Sequence, residues 1–205
     1  MLALVDIDRF FIELDKRLDF PVRILITGAI AGAMLGYSRA SDDIDFEVAL
    51  PQDRAQDQAS IEKVEQSIND VYQKLGIPVQ YSDSIQGWSQ ISLLDYREKA
   101  LNYKKIGKIE LLFLSPGHWA IGKFARYLAM DRIDLVQVLR KRSISADQII
   151  SDLAKALRAS PLSDKSREFK NHVLDFLKTE GKSVWGKSFS SKDAIELFKK
   201  EAGLR

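Results

Sequence analysis

No cysteine occurs anywhere in the 205 residues. Disulfides, thiolate zinc sites and cysteine nucleophiles are therefore excluded, and a reducing compartment is expected. Histidine is nearly missing as well: His118 and His172 are the two present, too few for a histidine-rich metal centre. Long hydrophobic runs are also lacking. Asp6, Asp8 and Arg9 interrupt any N-terminal leader. No apolar stretch approaches the ~20 residues of a membrane span, so a cytoplasmic protein with no membrane partner is expected. Neither an internal repeat nor a low-complexity tract is visible.

What is present is an ordinary globular composition, 45% hydrophobic and 29% charged. That suits one domain, or one domain with an appendage, and is long enough to bury a core without staples. The net charge of +2 hides an uneven distribution: residues 1–98 hold 9 Lys and Arg against 17 Asp and Glu, whereas residues 99–205 hold 22 against 12. An acidic half joined to a basic half suits an enzyme of polyphosphates or nucleic acids, although lysine-rich solvated helices produce the same bias.

Hydrophobic periodicity divides the chain. Ile7, Phe10, Phe11, Leu14 and Leu18 recur at helical spacing over residues ~6–18. Residues 22–27 form a buried strand, 29–36 a small-residue helix, and 44–50 a strand stopped by Pro51. A helix over ~60–75 follows. Strands are expected at ~77–82 and ~88–94. Asp95 and Glu98 suggest a capping-box start for a helix over ~95–104, and residues 108–114 form a last strand. Beyond Ser115 the chain reads as helical, over ~116–130, ~132–141, ~145–158, ~164–179 and ~191–200. Residues 181–190 are the best linker candidate, with Trp185 and Phe189 hinting that the segment docks. Strands come first and helices later, so the expected class is α+β with a mixed sheet.

The most informative stretch is Arg23–Leu50, RILITGAIAGAMLGYSRASDDIDFEVAL. A strand breaks on Gly28, a small-residue helix follows, and Arg39-x-Ser41-x-Asp43-x-Asp45 opens the next strand. Acids two apart on a strand leave one face of the sheet and repel each other unless a cation lies between them. Oxygen donors of this kind suit Mg²⁺ or Mn²⁺, ions that also bind substrate phosphates. In isolation such a pair is more often a turn or cap than a metal site; the glycine turn and the Arg-x-Ser shift the balance.

This order of strand, glycine turn, small helix and Asp-x-Asp strand resembles the nucleotidyltransferase superfamily with the polymerase-β-like fold. Thr27-Gly28-Ala29 stands where that family has Gly-Gly or Gly-Ser, and thirteen residues separate Ala29 from Asp43. Downstream, LSPGHWAIGKFARYLAMDRIDLVQVL resembles a segment of AbiE-type toxin–antitoxin nucleotidyltransferases, in which a helical Lys precedes an Asp-x-x-Asp. The resemblance spans roughly residues 22–142, leaving 143–205 as a helical C-terminal region. It implies a metal on Asp43 and Asp45, which with Lys123 are the expected catalytic residues. It also implies an NTP-binding set of Gly28, Ala29, Arg39, Ser41 and Lys123, with Asp131 and Asp134 behind Lys123 in the same set. The transfer would go to an RNA such as tRNA, a protein side chain or a small molecule.

Two departures stand out. Ala29 removes a phosphate-turn donor. The family's third carboxylate has no clear counterpart: Gln80 occupies one expected position, and Asp83 or Glu110 are the candidates. These departures motivate the alternative of a non-catalytic or antitoxin-like module that keeps the fold; a third possibility is an interaction protein whose acids are structural. Bland readings exist for the rest. Lys123, Arg126 and Tyr127 could form a solvated helix face, Asp131 and Asp134 could cap a helix and pair with Arg132 or Lys123, His118 could cap, and Trp119 and Phe124 fit a core.

Overall fold

The computed structural model describes residues 2–37, 39 and 41–204. In chain order the elements are α1 Leu4–Asp15, β1 Val22–Ile26, α2 Gly28–Met34, β2 Ile44–Ala49, α3 Gln58–Leu75 and β3 Val79–Ser82. A 3-10 turn Ile85–Trp88, β4 Leu101–Ile106 and β5 Ile109–Phe113 follow. The remaining elements are α4 Pro116–Arg126, α5 Ala129–Lys141, α6 Ala146–Ala159, α7 Asp164–Thr179, α8 Gly181–Trp185 and α9 Ser191–Glu201. The fold is α+β with one mixed sheet of order β3-β2-β1-β5-β4. Among the described residues no helix is long and apolar enough to cross a membrane.

The chain divides into two compact units. The first comprises residues 1–34, 38–85 and 99–114, and the second comprises 35–37, 86–98 and 115–205. The strands all belong to the first. Helices α4 and α5 cluster with the later helices, whereas the sequence reading grouped residues up to 142 with the strands.

In the first unit, β1 runs antiparallel to β2 (Ile26 opposite Phe46) and parallel to β5 (Arg23 opposite Glu110). β2 runs parallel to β3, with Asp45 opposite Gln80. Helix α1 packs against one face of the sheet. Its helical stripe of Ile7, Phe10, Phe11 and Leu14 has no solvent exposure, and each such side chain contributes about 1.5–3 kcal/mol. Phe46 from β2 enters that layer, 5.5 Å from the Phe11 ring and 6.2 Å from Phe10. Helix α3 begins where the Asp57 carboxylate accepts the Ser60 N–H at 3.1 Å, an N-cap that satisfies an otherwise orphaned donor. Lys74 near its end reaches Glu13 of α1 at 2.6 Å. With Lys16, it holds the Glu13 carboxyl down at about 2.

In the second unit, Phe124, Phe169, Phe176 and Phe198 are fully buried. Serine caps open α6, α7 and α9: Ser145 accepts from Gln148 N–H, Ser163 from Ser166 N–H and Ser190 from Asp193 N–H. Residues 181–190 are not a free linker. Trp185 Nε1 donates to the Ile144 carbonyl at 2.8 Å, and its ring stacks on Phe189 with centroids 4.9 Å apart.

Three sequence expectations are corrected. Residues 88–94 form no strand, and 95–104 form no helix. Asp95 has φ 55, a left-handed turn conformation rather than the extended one of an N-cap, and the chain from Leu101 is strand β4. The expected helix over ~116–130 also stops early, at Arg126, because Tyr127 is left-handed (φ 54) and its N–H closes on the Lys123 carbonyl.

Candidate functional site

Gly28 and Asp45 meet at one end of the β1–β2 pairing. Thr27 N–H donates to the Asp45 carbonyl at 2.9 Å, extending the ladder one step past Ile26. The chain then turns at Gly28 with φ +63. Any side chain here would be strained by the backbone and blocked by its neighbour: a Cβ on Gly28 would lie 1.9 Å from Asp45 Oδ2 and 2.8 Å from Asp45 Cγ. The glycine is thus required for its conformation and for the closeness of the carboxylate.

Asp43 sits in the bend before β2, and Asp45 is the second residue of the strand. Both are half-buried, flanking the fully buried Ile44. Their Cα atoms are about 6.7 Å apart if the extended rise holds across the bend. Buried Ser41 orients the first acid, its hydroxyl donating to the Asp43 carbonyl at 3.0 Å and lying 3.3 Å from Asp43 Oδ1. Ala29 is buried at the start of α2. Arg39 is half-buried, and its neighbours Ser38 and Ala40 lie outside the described residues.

Neither third-acid candidate joins this pair. Glu110 lies beside Arg23 at the start of β1 and is bonded to it at 2.8 Å. Arg23 is five residues before Gly28, about 16 Å along an extended strand. Asp83 follows Ser82, which pairs with Glu47 rather than Asp45, and so stands about 10 Å further along β3 than Gln80. The position directly across from Asp45 holds the amide of Gln80. Among the described residues no three His, Asp or Glu side chains gather in a metal-ligating group.

Sequence reasoning overlooked Glu47. It shares the Asp45 face, is 1% exposed, and accepts the Ile85 N–H at 2.9 Å. The alternation Asp43, Asp45, Glu47 was the available signal; the register shows the last acid committed to a backbone donor.

The downstream block forms a separate cluster within the second unit. Lys123 is 4% exposed and reaches Asp131 at 3.0 Å and Asp134 at 2.6 Å. Arg126 holds Asp131 through two bonds of 2.8 and 2.6 Å, and Asp131 also accepts the Leu128 N–H at 3.1 Å, at the start of α5. Burial works to raise the Asp131 carboxyl, but the Arg126 hydrogen bonds and the Lys123 charge outweigh it and hold it below the usual range. Arg132 pairs elsewhere, with Glu180 at 2.8 Å. Tyr127 donates to Asp175 at 2.8 Å; burial, then this bond, push its phenol up. His118 is structural, tied to Ser115 Oγ and the Leu94 carbonyl, and Trp119 and Phe124 are core residues.

No protein-family model, curated protein or solved structure matches the chain.

Proposed function

We propose that this protein is a metal-dependent nucleotidyltransferase that moves a nucleotidyl group from an NTP to an RNA or protein acceptor and releases pyrophosphate. The observation that carries the reading is the junction at Gly28, whose left-handed backbone lies against the Asp45 carboxylate at the mouth of the Asp43–Asp45 pair. A bare backbone turn beside an acid pair is what a triphosphate with its cation requires: the turn permits close approach of phosphate, and the acids supply the cation's protein ligands.

The donor set fits Mg²⁺ or Mn²⁺. Mg²⁺ keeps several waters and is commonly bound by one or two carboxylates together with substrate phosphates, so a pair is sufficient. Bound there, the ion would offset phosphate charge and lower the pKa of the acceptor hydroxyl. Asp43 and Asp45 would hold it, with Ser41 fixing Asp43 through its main chain. The backbone of Gly28 and Ala29 would lie along the phosphates. The resemblance further assigns Lys123 to the phosphates; in the structure its ammonium is engaged by Asp131 and Asp134. Arg39 would take part in NTP binding. Such a protein would work in the cytoplasm, and a place in a toxin–antitoxin pair agrees with the resemblance of the Lys123 block.

A second reading is favoured by one observation: among the described residues no third acid gathers with Asp43 and Asp45 into a metal-ligating group. On that reading the protein binds nucleotide but does not transfer it.

Incubation with each α-labelled NTP, Mn²⁺ or Mg²⁺, RNA and cell lysate separates the two. Label that becomes covalently fixed to an acceptor, and disappears in Asp43→Asn and Asp45→Asn, supports transfer. Metal-dependent NTP binding without labelling supports the second reading, and no metal-dependent NTP binding overturns both.

A further inference from the structure

The sheet carries a cationic hollow at the end away from the acid pair. It encloses ≈ 740 Å³ and is lined by Arg23 of β1, Lys104 and Lys105 of β4, Lys108 of the β4–β5 turn and Pro51 after β2, with Glu110 as the single acid in its wall. Pairing fixes this arrangement. Arg23 lies opposite Glu110, and Glu110 opposite Lys105, so the three stand side by side on adjacent strands. Strand spacing then separates the Arg23 and Lys105 backbones by about 10 Å. The tight turn at Gly107 (φ +53) brings Lys108 to the same end, its N–H held by Asp15 at 2.7 Å.

Three of the four cations have exposed or half-exposed carboxylate partners: Arg23 with Glu110 at 2.8 Å, Lys104 with Asp8 at 2.6 Å and Lys108 with Asp15 at 3.4 Å. Ion pairs of this kind contribute little and exchange partners readily. Lys105 is exposed and has no carboxylate partner among the described residues. The lining holds no aromatic ring.

We propose that this hollow binds the phosphodiester backbone of a nucleic-acid strand, with Lys105 as the first contact and Arg23 and Lys108 exchanging carboxylates for phosphate oxygens. Lys104, on the opposite face of β4, stays with Asp8. Cations spread over about 10 Å suit a repeating anion better than one compact phosphate, which needs converging donors. Without an aromatic platform the contact grips backbone and does not read bases. The inference deepens the RNA-acceptor arm of the proposed function, although its test requires no transfer chemistry. The competing account is that lysines on the edge strand β4 merely block pairing with another chain. Glutamate protects an edge equally well and repels phosphate, so charge reversal separates the two accounts.

The experiment titrates the full chain into a labelled single-stranded RNA oligonucleotide, in chelator and without NTP, across a series of salt concentrations. The wild type is expected to bind at low salt and to lose affinity steeply as salt rises. Lys105→Gln should lower the log–log salt slope by about 0.7, the value for one phosphate contact on a single strand, and Lys105→Glu should weaken low-salt binding by roughly tenfold. Unchanged thermal unfolding of both variants ties any loss to the site. The proposal is overturned by absence of wild-type binding at low salt, by wild-type affinity in Lys105→Glu, or by full displacement of the oligonucleotide by inorganic phosphate at equal phosphate concentration. Because no metal or NTP is present, failure of the transfer reading leaves this result unaffected.

Discussion

Two pairs of aspartates, one in each compact unit, are handled differently. Asp131 and Asp134 are sealed from solvent at 0% and 2% exposure, and two cations of their own unit, Lys123 and Arg126, neutralise them. Asp43 and Asp45 stay half-buried; the first is oriented by a serine hydroxyl, and the second is pressed against the bare backbone of Gly28. Taking charges out of water is costly unless they are paired, so the helical unit must fill its site with its own cations. The strand pair keeps contact with water. Residue type alone does not tell the two pairs apart; their burial does.

The largest expected effect breaks the sealed pair. Lys123→Met would leave two buried carboxylates facing each other and should cost about 3–5 kcal/mol in chemical denaturation. A loss below about 1 kcal/mol would mean the cluster is no clamp and would erase the contrast.

Gly28→Ala is expected to come next. A left-handed alanine whose Cβ overlaps Asp45 should cost about 1–3 kcal/mol and displace the carboxylate, with loss of Mn²⁺ binding by calorimetry. Retained stability together with retained binding would contradict the close approach.

A smaller effect sharpens the comparison through pH. The Asp131 carboxyl is held below its ordinary value in the folded state. Its contribution is therefore present above the unfolded value of about 3.9 and is lost as pH falls through the lower folded one. Wild-type stability should fall on acidification below about pH 4, and the Asp131→Asn variant, though less stable at neutral pH, should show a shallower acid limb. Parallel limbs would remove Asp131 from the acid response.

The smallest expected change in stability belongs to the strand pair. Asp43→Asn and Asp45→Asn should alter unfolding by no more than about 0.5 kcal/mol, with any shift toward greater stability as like-charge repulsion is relieved. Metal-dependent NTP binding should nevertheless vanish. Unfolding of both variants would place these acids alongside Asp131 and Asp134 as structural, and the two pairs would no longer differ.

Much of this was legible in the chain because the information is local. The helical period of Ile7, Phe10, Phe11 and Leu14 marked α1, and Ser145 capped α6 where its spacing to Gln148 indicated. The same holds for the Gly28 turn and its approach to Asp-x-Asp, since the turn follows β1, the acids open the adjacent β2, and little chain lies between them. Strand β4 was misread in part as a helix because it is an edge strand with no buried side and its alternation breaks at Lys104-Lys105, so only the hairpin with β5 sets its pairing. The 88–94 stretch was misread as a strand because its apolar residues Ile91 and Leu93 are buried at period two without any ladder to join.

By itself, then, the sequence determined the α+β class, the serine-capped start of α6 and the pairing of a glycine turn with two acids, all of which follow from periodicity and short-range chemistry. Tertiary structure alone decided that Glu110 belongs to Arg23, that Gln80 faces Asp45, that Glu47 is committed to Ile85, and that Lys123 is enclosed by two aspartates. Strand register and helix packing bring together residues far apart in the chain, and neither is encoded in the spacing of residues along one segment.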